Sequence, residues 1–353
     1  MRLSSQPSSA LPCRGAAEHR GNKVAIVYNQ PVPCSYVGIG EDKAVISILE
    51  GVVAAHRALD ELGYKVTIVP LLPPVEHARD LLKALDTDLV FNLFEGFDDR
   101  PKTEATIAGM MSELGFTYTG CSAAALALGL DKAKVKDLMR AHGINTPDYQ
   151  VLTPETVSQF HLNFPCIVKP SRQDASHGLS ADSVVSDQAS LERQVTGVSR
   201  AFGGEALVEE FVDGREFNVT VMGNDEVTVL PISEIVYELP PGMPRVLTYA
   251  AKWEEDTPYF DGTTVDCPAE IGVEESAMIL QTAVALFRLV VKHGYARADM
   301  RLDSEGKIQV LEVNPNPDIT PGSGAARQAS AASMTYPQFI EKLVSMARHK
   351  TTA

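Results

Sequence analysis

The sequence predicts a mixed fold, α/β in its first third and α+β in the remainder, with three domains around a central cleft. Apolar strand-like runs alternate with amphipathic helical runs up to about residue 120, which is the pattern of a doubly wound parallel sheet. Further along, two alternating runs flank Gly223-Asn224-Asp225, which is the pattern of an antiparallel hairpin. The length of 353 residues allows two or three domains.

In the first third, strand-like and helical segments follow one another closely. We expect strands at 24–28, 65–69 and 88–93, and helices at 44–62 and 104–114. Gly63 and Gly115 mark the ends of the two helices. Strands separated by helices lie parallel, so a ligand is expected beyond their carboxyl ends.

The rest of the chain is predicted to be richer in strands and loops. The expected elements are a helix ending at 130, helices at 131–142 and 274–293, strands at 166–170, 206–211, 217–222, 226–232, 295–303 and 307–314, a polar loop at 171–178, and mobile loops at 240–244 and 253–262. We place the three domains at 23–121, 122–208 and 209–348. Residues 1–22 have no apolar segment of a secretory signal, so we expect a disordered tail there.

Composition excludes several classes of partner. Lys and Arg total 31 against 46 Asp and Glu, a net charge of −15, which argues against nucleic acid or an anionic membrane as the main partner. The most apolar stretch, 277–291, contains Gln281 and Arg288 and is too short for a membrane span. The five cysteines form no C-x-x-C pair, which favours reduced thiols, no zinc site and a cytoplasmic location.

The last two predicted strands, joined by a turn at 304–306, carry the most informative side chains. If Asp303 pairs with Ile308, the antiparallel register sets Asp299 directly opposite Glu312 on one face. Two opposed carboxylates repel each other, and a sheet keeps such a pair when a cation lies between them. This register therefore predicts a cation site.

The same register sets Arg297 opposite Asn314 on that face. Carboxylates together with an Asn carbonyl are hard oxygen ligands, suited to Mg²⁺ that is held jointly with substrate phosphates. Arg297 is expected to hold an oxyanion or a phosphate as a forked donor. The alternative is a solvated strand face on which Arg301 and Asp303 are plain surface charges.

Lys169 ends an apolar strand and precedes the polar loop at 171–178, an arrangement that brings an ammonium group and backbone N–H groups onto a polyphosphate. Taken alone, a lysine reaching solvent from a strand end is the better interpretation. The chain lacks G-x-x-x-x-G-K-[ST], and no G-x-G-x-x-G follows its first strand, which disfavours P-loop proteins and nicotinamide dehydrogenases. The absence of H-E-x-x-H and G-x-S-x-G leaves zinc protease and serine esterase without support.

A series of short motifs resembles the D-alanine–D-alanine ligase branch of the ATP-grasp superfamily. The resemblance extends from Val24 to Leu343 and is strongest in the last third. The motifs that carry it, in family order, are Val90-Phe91-Asn92, Tyr118-Thr119-Gly120, Leu130-Asp131-Lys132, Ile167-Val168-Lys169-Pro170, the run Val208 to Glu216, Ala251-Lys252, Arg297-Ala298-Asp299 and Leu311-Glu312-Val313-Asn314.

The resemblance implies a three-domain ATP-grasp fold and a set of ATP contacts. The residues it implies are Lys132 and Lys169 at the phosphates, Ser176 in the polar loop, Glu209, Glu210 and Val212 around adenine, and Glu216 at the ribose hydroxyls. Lys252 is expected to reach the γ-phosphate when the acidic loop beside it closes.

The family also implies the metal ligands and the chemistry. Asp299, Glu312 and Asn314 would bind two Mg²⁺ ions, with Mn²⁺ as an alternative. Arg297 would stabilise a tetrahedral oxyanion, and Ser323 would grip the carboxylate of the second substrate. A substrate carboxylate attacks the γ-phosphate, ADP leaves, and an amine captures the resulting acyl phosphate, so the protein mainly positions groups, neutralises charge and excludes water.

The substrate half departs from the family pattern. The family's Gly-Gly-x-Ser-x-Glu turn is replaced by the stretch 31–42, in which Glu41 or Asp42 is the nearest acid for an ammonium group. Further departures are Glu95-Gly96 for the family's His-Gly, Ala175 and Trp253 for its Ser–Tyr pair, and Asp318 for the glycine whose amide joins the oxyanion hole.

Two hypotheses follow for the function. The first is an ADP-forming ligase that joins two amino acids, or an amino acid and an amine, with D-alanine as one candidate among small-molecule substrates. The family implies a homodimer through the N-terminal domain. The second is a non-catalytic ATP-binding regulatory protein, which Ala175 and Asp318 favour. Retention of every metal position argues against it, because nucleotide binding alone does not need two metals.

Overall fold

The computed structural model describes residues 22–31, 42–97, 100–171 and 179–349 of the chain. In the first of three sheets, β1 (Lys23–Asn29), β2 (Lys65–Leu71) and β3 (Leu89–Leu93) are all parallel and lie in the order β2-β1-β3. The predicted parallel sheet is confirmed.

Helices cover both faces of this sheet. They are α1 (Asp42–Glu61), α2 (Val75–Lys83) and α3 (Lys102–Glu113). Along β1, Ile26 packs in one apolar cluster with Leu59 of α1, and Val27 packs in another with Leu82 of α2. Alternate residues of the strand therefore point into two cores, as a doubly wound sheet requires.

The second sheet follows two short helices, α4 (Ala123–Gly129) and α5 (Lys132–Ala141). Its strands are β4 (Tyr149–Leu152), β5 (Cys166–Pro170), β6 (Val184–Val185) and β7 (Ala206–Glu210). They lie in the antiparallel order β4-β7-β5-β6. Between β6 and β7, α6 (Gln188–Phe202) is capped by Asp187, whose carboxylate accepts a hydrogen bond from the Ser190 N–H at 2.7 Å.

The third sheet is antiparallel and has the order β11-β10-β8-β12-β13, with β9 also on β8. Its strands are β8 (Glu216–Gly223), β9 (Val227–Val229), β10 (Ser233–Tyr237), β11 (Thr263–Asp266), β12 (Gly294–Leu302) and β13 (Ile308–Pro315). The helices of this region are α7 (Tyr249–Trp253), α8 (Pro258–Asp261), α9 (Val273–Val290), α10 (Gly324–Ala331) and α11 (Tyr336–Arg348).

The C-terminal helix returns to the first sheet. Phe339 and Leu343 of α11 are buried in one apolar cluster with Phe91 of β3 and Leu59 of α1. The end of the chain therefore closes one face of the N-terminal sheet. The predicted domain limit at 208/209 falls inside β7, and the three proposed domain ranges stay a prediction.

The structure agrees with one predicted loop, contradicts a second and leaves most of a third outside the described residues. The segment 253–262 is not a long loop, because it contains the end of α7 and all of α8, each capped by a threonine. The segment 240–244 lies outside helices and strands. Most of the polar loop at 171–178 lies outside the described residues. In the described ranges, no helix combines the length and apolar character that a membrane crossing needs.

Candidate active site

A pocket between the second and third sheets collects most of the predicted site residues. We call it the central pocket, and the predicted residues that line it are Lys132, Lys169, Glu209, Glu210, Val212, Glu216, Lys252, Arg297, Asp299, Glu312 and Asn314. Ser176 lies outside the described residues. Ser323, the residue before α10, does not line this pocket, and its hydroxyl donates to the Asp318 carbonyl at 2.8 Å.

The predicted carboxylate pair forms on the β12–β13 hairpin. Asp299 lies opposite Glu312, and Arg297 lies opposite Asn314. The guanidinium of Arg297 forks onto Asp299, with Nε and Nη2 each 2.7 Å from a carboxylate oxygen. The Asn314 amide bridges the pair, 2.9 Å from Asp299 Oδ2 and 3.1 Å from Glu312 Oε1.

The pairing at the turn differs from the one assumed. Leu302, not Asp303, lies opposite Ile308, so an unbroken register would set Asp299 opposite Leu311. A β-bulge at Leu311 absorbs one residue and restores the predicted pair. Asp303 instead accepts hydrogen bonds inside the turn, from the N–H groups of residues 305 and 307.

The two carboxylates differ in acidity. Burial raises the pKa of Asp299, although Arg297 opposes this shift. Burial also acts to raise the pKa of Glu312, but Lys132, Lys169 and the Asn314 hydrogen bond outweigh it and lower this pKa to about 2. Glu312 is therefore ionised at neutral pH, and it is stabilised by the lysines across the pocket.

The donor set suits a hard cation that also binds phosphate. It offers two carboxylates and one amide. The described ranges contain no group of three or more His, Cys, Asp or Glu side chains that could hold a metal without further ligands. Mg²⁺ is commonly bound by one or two carboxylates and completed by waters and substrate phosphates. The residues present thus fit Mg²⁺ that arrives with a nucleotide.

A buried ion triad positions Lys169. Glu209, which is 1% exposed, lies 2.8 Å from Lys169 Nζ through Oε2 and 2.9 Å from Lys136 Nζ through Oε1. Burial acts to raise the pKa of Glu209, but the two lysines outweigh it and lower this pKa. The Glu209 carboxylate therefore holds both lysines, and its place beside adenine stays a prediction.

Lys136 is a site residue that sequence reasoning missed. Its ammonium also donates to Thr146 Oγ1 at 2.6 Å, and that hydroxyl donates to the Val310 carbonyl of β13 at 2.8 Å. Burial lowers the pKa of Lys136, and Glu209 opposes this shift. The sequence feature that could have identified Lys136 is its spacing. It lies one turn after Lys132, beside the buried residues Val135 and Met139 of α5.

Arg301 links the parts of the central pocket that contain Glu216 and Val212. It is 3% exposed, and its Nε and Nη2 donate to Glu216 Oε2 at 3.0 and 2.5 Å. Its Nη1 donates to the Val212 carbonyl at 2.6 Å, and Nη2 also donates to the Arg245 carbonyl. The alternative that Arg301 is a plain surface charge is wrong.

Two further predicted residues, Lys252 and Glu210, also line the central pocket. Lys252 is on α7, and burial together with the positive charge of Arg297 lowers its pKa. The Glu210 carboxylate accepts hydrogen bonds from the backbone N–H and side-chain amide of Asn163 at 3.1 and 2.9 Å. Its carboxylate is thus engaged by the loop before β5.

A second pocket lies beyond the carboxyl end of β3, where the parallel sheet predicts a ligand. We call it the acidic pocket, because its wall contains Glu95, Glu104 and Asp318. Asn316, just after β13, joins its two sides: its Oδ1 accepts from the Cys121 N–H at 2.8 Å, and its Nδ2 donates to Glu104 at 3.3 Å. Glu41, the predicted ammonium ligand, lies outside the described residues.

The fold and the family comparison together define a class of protein. A family model for the D-ala D-ala ligase C-terminus matches residues 138–345. The crystal structure of the D-alanine–D-alanine ligase from Bacillus anthracis superposes with a TM-score of 0.70, covering 93% of this chain and 97% of that one at 22% identity. The protein is an ATP-dependent, ADP-forming ligase that joins a carboxylate to an amine.

Sequence relatives narrow this class to a family. The D-alanine–D-alanine ligase of Cupriavidus pinatubonensis is 30% identical, over 84% of this chain and 85% of that protein. The uncharacterized protein y4sG of Sinorhizobium fredii is 31% identical over 97% of both chains. The chain belongs to the D-alanine–D-alanine ligase family.

Proposed function

We propose that the central pocket binds ATP with Mg²⁺ and that the ligase joins two amino acids, or an amino acid and an amine, through an acyl phosphate. One observation carries the proposal: the Asp299–Glu312 pair faces Lys132 and Lys169 in a single pocket. Carboxylates on one wall and ammonium groups on the other match the alternation of metal ions and phosphate oxygens in a bound triphosphate.

The metal ligands are Asp299, Glu312 and Asn314. Two Mg²⁺ ions, or Mn²⁺ in their place, would neutralise the negative charge that develops on the transferred phosphoryl group. The Asn314 amide, which bridges the two carboxylates through its nitrogen, would offer its oxygen as the third ligand. Glu312, with its pKa near 2, stays ionised throughout.

The remaining nucleotide contacts come from the chain around Arg301. Lys169 and Lys132 would contact the phosphates, and Glu216 would accept hydrogen bonds from the ribose. Val212 and Glu210 lie at the end of β7, where backbone groups can pair with adenine. Lys252 of α7 would bind the γ-phosphate, whose negative charge would favour the protonated form against the burial and the Arg297 charge that lower its pKa.

Arg297 and Ser323 would act on the amino-acid side. Arg297 would stabilise the oxyanion formed when the amine attacks the acyl phosphate, because a forked guanidinium matches that charge. Ser323 would contact the second carboxylate after giving up its bond to the Asp318 carbonyl. The relatives from Cupriavidus pinatubonensis and Bacillus anthracis are D-alanine–D-alanine ligases, so D-alanine is one candidate substrate for this chain.

The test is ADP formation across pairs of D- and L-amino acids and small amines, with product mass measured in parallel. At least one pair should release ADP and yield a condensed product. Asp299→Asn and Glu312→Gln should each lower kcat by about 10³-fold, because each removes a charge from the metal set. Asp225→Asn, in the exposed β8–β9 turn, is the matched control and should leave kcat unchanged. ADP release by no pair, from protein that binds ATP, would refute the proposal.

We also propose that the ligase is cytoplasmic, does not bind nucleic acid, and forms a homodimer through its N-terminal domain. Leu49 and Val53 lie one turn apart on α1 and are 37% and 47% exposed, which supports an apolar contact there. Light scattering after size-exclusion chromatography should give twice the chain mass, and Val53→Asp should give the monomer mass. A monomer mass for the unmodified chain would remove the dimer from the proposal.

A further inference from the structure

The carboxylate pair in the central pocket depends on one β-bulge. The bulge at Leu311 is the irregularity that sets Glu312 opposite Asp299. A strand shifted by one residue turns every side chain to the other face of the sheet. Without the bulge, Leu311 would take the place of Glu312 opposite Asp299. Contacts that hold the bulge therefore also hold a proposed metal ligand in place.

The segment between α5 and β4 pairs with the strand next to this bulge. β13 is the last strand in the order β11-β10-β8-β12-β13, so its outer backbone groups need partners from outside the sheet. The Val310 N–H donates to the Asn145 carbonyl at 2.9 Å, and the Val310 carbonyl accepts from the Thr146 hydroxyl at 2.8 Å. Pro147 follows and favours an extended backbone at Thr146. The segment thus fixes the backbone one residue before the bulge.

The Thr146 hydroxyl joins this contact to a buried cation. The Lys136 ammonium donates to Thr146 Oγ1 at 2.6 Å. An ammonium group only donates, so the hydroxyl oxygen accepts this bond and its one proton is left for the Val310 carbonyl. Thr146 is 8% exposed and Val310 is fully buried. The two hydrogen bonds therefore run in one direction, away from bulk water, and strengthen each other.

Lys136 extends the connection to the other wall of the central pocket. Glu209 lies 2.9 Å from Lys136 and 2.8 Å from Lys169, and the side chains of Lys136 and Glu209 are each 1% exposed. A buried polar network in which every member is bonded is rigid. The strand that carries the bulge is thus joined to the phosphate-facing lysine of β5 through the series Val310, Thr146, Lys136, Glu209 and Lys169.

This connection lies behind the central pocket. Lys169 and Glu312 line the pocket, whereas its described lining includes neither Lys136 nor Thr146. The positive charge of Lys169 contributes to the lowered pKa of Glu312, so the two side chains interact across the pocket. A change behind the wall would alter their spacing without touching a bound group.

We infer that Thr146 is a positioning residue of the ligase: its hydroxyl fixes the bulge that presents Glu312 and, through Lys136, the distance from Glu312 to Lys169. The inference rests on the proposed binding of ATP with Mg²⁺ in the central pocket. A triphosphate and its metal ions need carboxylates and ammonium groups at matched distances, and a misplacement of about 1 Å can lower the rate about 10²-fold. Thr146 maintains this match without contacting the nucleotide.

The test measures nucleotide affinity rather than turnover. Calorimetry gives the Kd of a non-hydrolysable ATP analogue in EDTA and in Mg²⁺. The Kd in EDTA reports the lysines, and the ratio of the Kd in EDTA to the Kd in Mg²⁺ reports the metal ligands. In Thr146→Val, the Kd in EDTA should rise about threefold and the ratio should fall about tenfold, because valine keeps the shape of threonine and loses both hydrogen bonds.

Two further variants serve as controls. Thr146→Ser keeps the hydroxyl, so both quantities should stay within about twofold of the unmodified chain. Thr106, exposed on α3, donates to the Lys102 carbonyl at 3.1 Å, and Thr106→Val should change neither quantity. If Thr146→Val does not fold, Thr146→Cys replaces it, because a thiol is only a weak hydrogen-bond donor.

A second background shows whether the effect acts through the metal ligand. In Glu312→Gln, adding Thr146→Val should lower the ratio no further, because both changes affect the same metal contact. An additive loss, or a lower melting temperature with both quantities unchanged, would mean a purely structural role and overturn the inference. Equal ratios in Thr146→Val and the unmodified chain would overturn it and leave the proposed function intact. If Mg²⁺ did not tighten nucleotide binding to the unmodified chain, the proposed metal site would be refuted, and this inference with it.

Discussion

The central pocket and the acidic pocket are both lined by residues of β12, but their charged side chains are paired differently. In the central pocket, carboxylates pair with cations of the protein: Asp299 with Arg297, and Glu209 with Lys136 and Lys169. In the acidic pocket, the described lining provides no cation for Glu95. A buried charge is unfavourable unless it is paired, and Glu209, which is 1% exposed, needs its two lysines. Glu95 and Asp318 are exposed, so water can hydrate their charges without a partner from the protein.

The largest effect on stability should follow from breaking the buried triad. Lys136→Met removes one of the two cations on Glu209, whose side chain is 1% exposed. Removing one partner of a buried pair lowers the free energy of unfolding by about 3–5 kcal/mol, because a charge stays buried without its full compensation. Urea unfolding followed by circular dichroism measures this change.

Lys134→Met is the matched control, because Lys134 lies on the same helix and is exposed. It should change the free energy of unfolding by less than about 0.5 kcal/mol. Equal losses for the two variants would show that the pairing in the central pocket does not stabilise the fold. The contrast drawn between the two pockets would then be wrong for the central pocket.

A smaller effect, on the binding of ATP, is expected when lysine replaces the positioning residue Arg301, because lysine keeps the charge but lacks the forked guanidinium. Arg301→Lys retains the cation near Glu216 but cannot reach Glu216, Val212 and Arg245 at once. KM for ATP should rise about tenfold, or about 1.4 kcal/mol, while kcat changes much less. Steady-state kinetics with varied ATP measures both constants.

Arg288→Lys, on the exposed side of α9, is the control for this exchange and should leave KM for ATP unchanged. If Arg301→Lys lowered kcat and left KM unaltered, Arg301 would act on the reacting groups rather than by holding the nucleotide wall. That result would require a revised view of the Glu216 contact.

Local patterns were enough to predict the strands and one face of the hairpin. Alternation along 295–303 and 307–314 places Arg297 and Asp299 on the same side, whatever the rest of the fold does. The bulge at Leu311 was not predictable, because it depends on how the turn closes. The correct pair was obtained from a register that is off by one residue at the turn.

Partners that are distant in sequence account for what the sequence could not predict. Arg301 meets Glu216 across 85 positions, and Lys169 meets Glu209 across 40. Neither pairing leaves a periodic signal in one segment, so Arg301 was open to interpretation as a surface charge. The acidic pocket is similar, since Glu95, Glu104 and Asp318 come together only through packing of the first sheet against the end of β13.

The smallest expected effect is on the pH dependence of thermal stability, and it tests the acidic pocket through Glu95. The pKa of Glu95 is raised from 4.5 to about 7, so the folded state binds this proton more tightly than the unfolded state does. The stabilisation is complete below the unfolded pKa and is lost as pH rises through 7. Relative to Glu95→Gln, the unmodified chain should therefore lose thermal stability between pH 5 and pH 8.

Melting temperatures of both proteins, measured at intervals from pH 5 to pH 9, give the difference directly. It should grow through pH 7 and level off above pH 8. A difference that is constant with pH would mean that Glu95 titrates normally and that its charge is already compensated. The acidic pocket would then resemble the central one, where Asp299 and Glu209 each have a cationic partner.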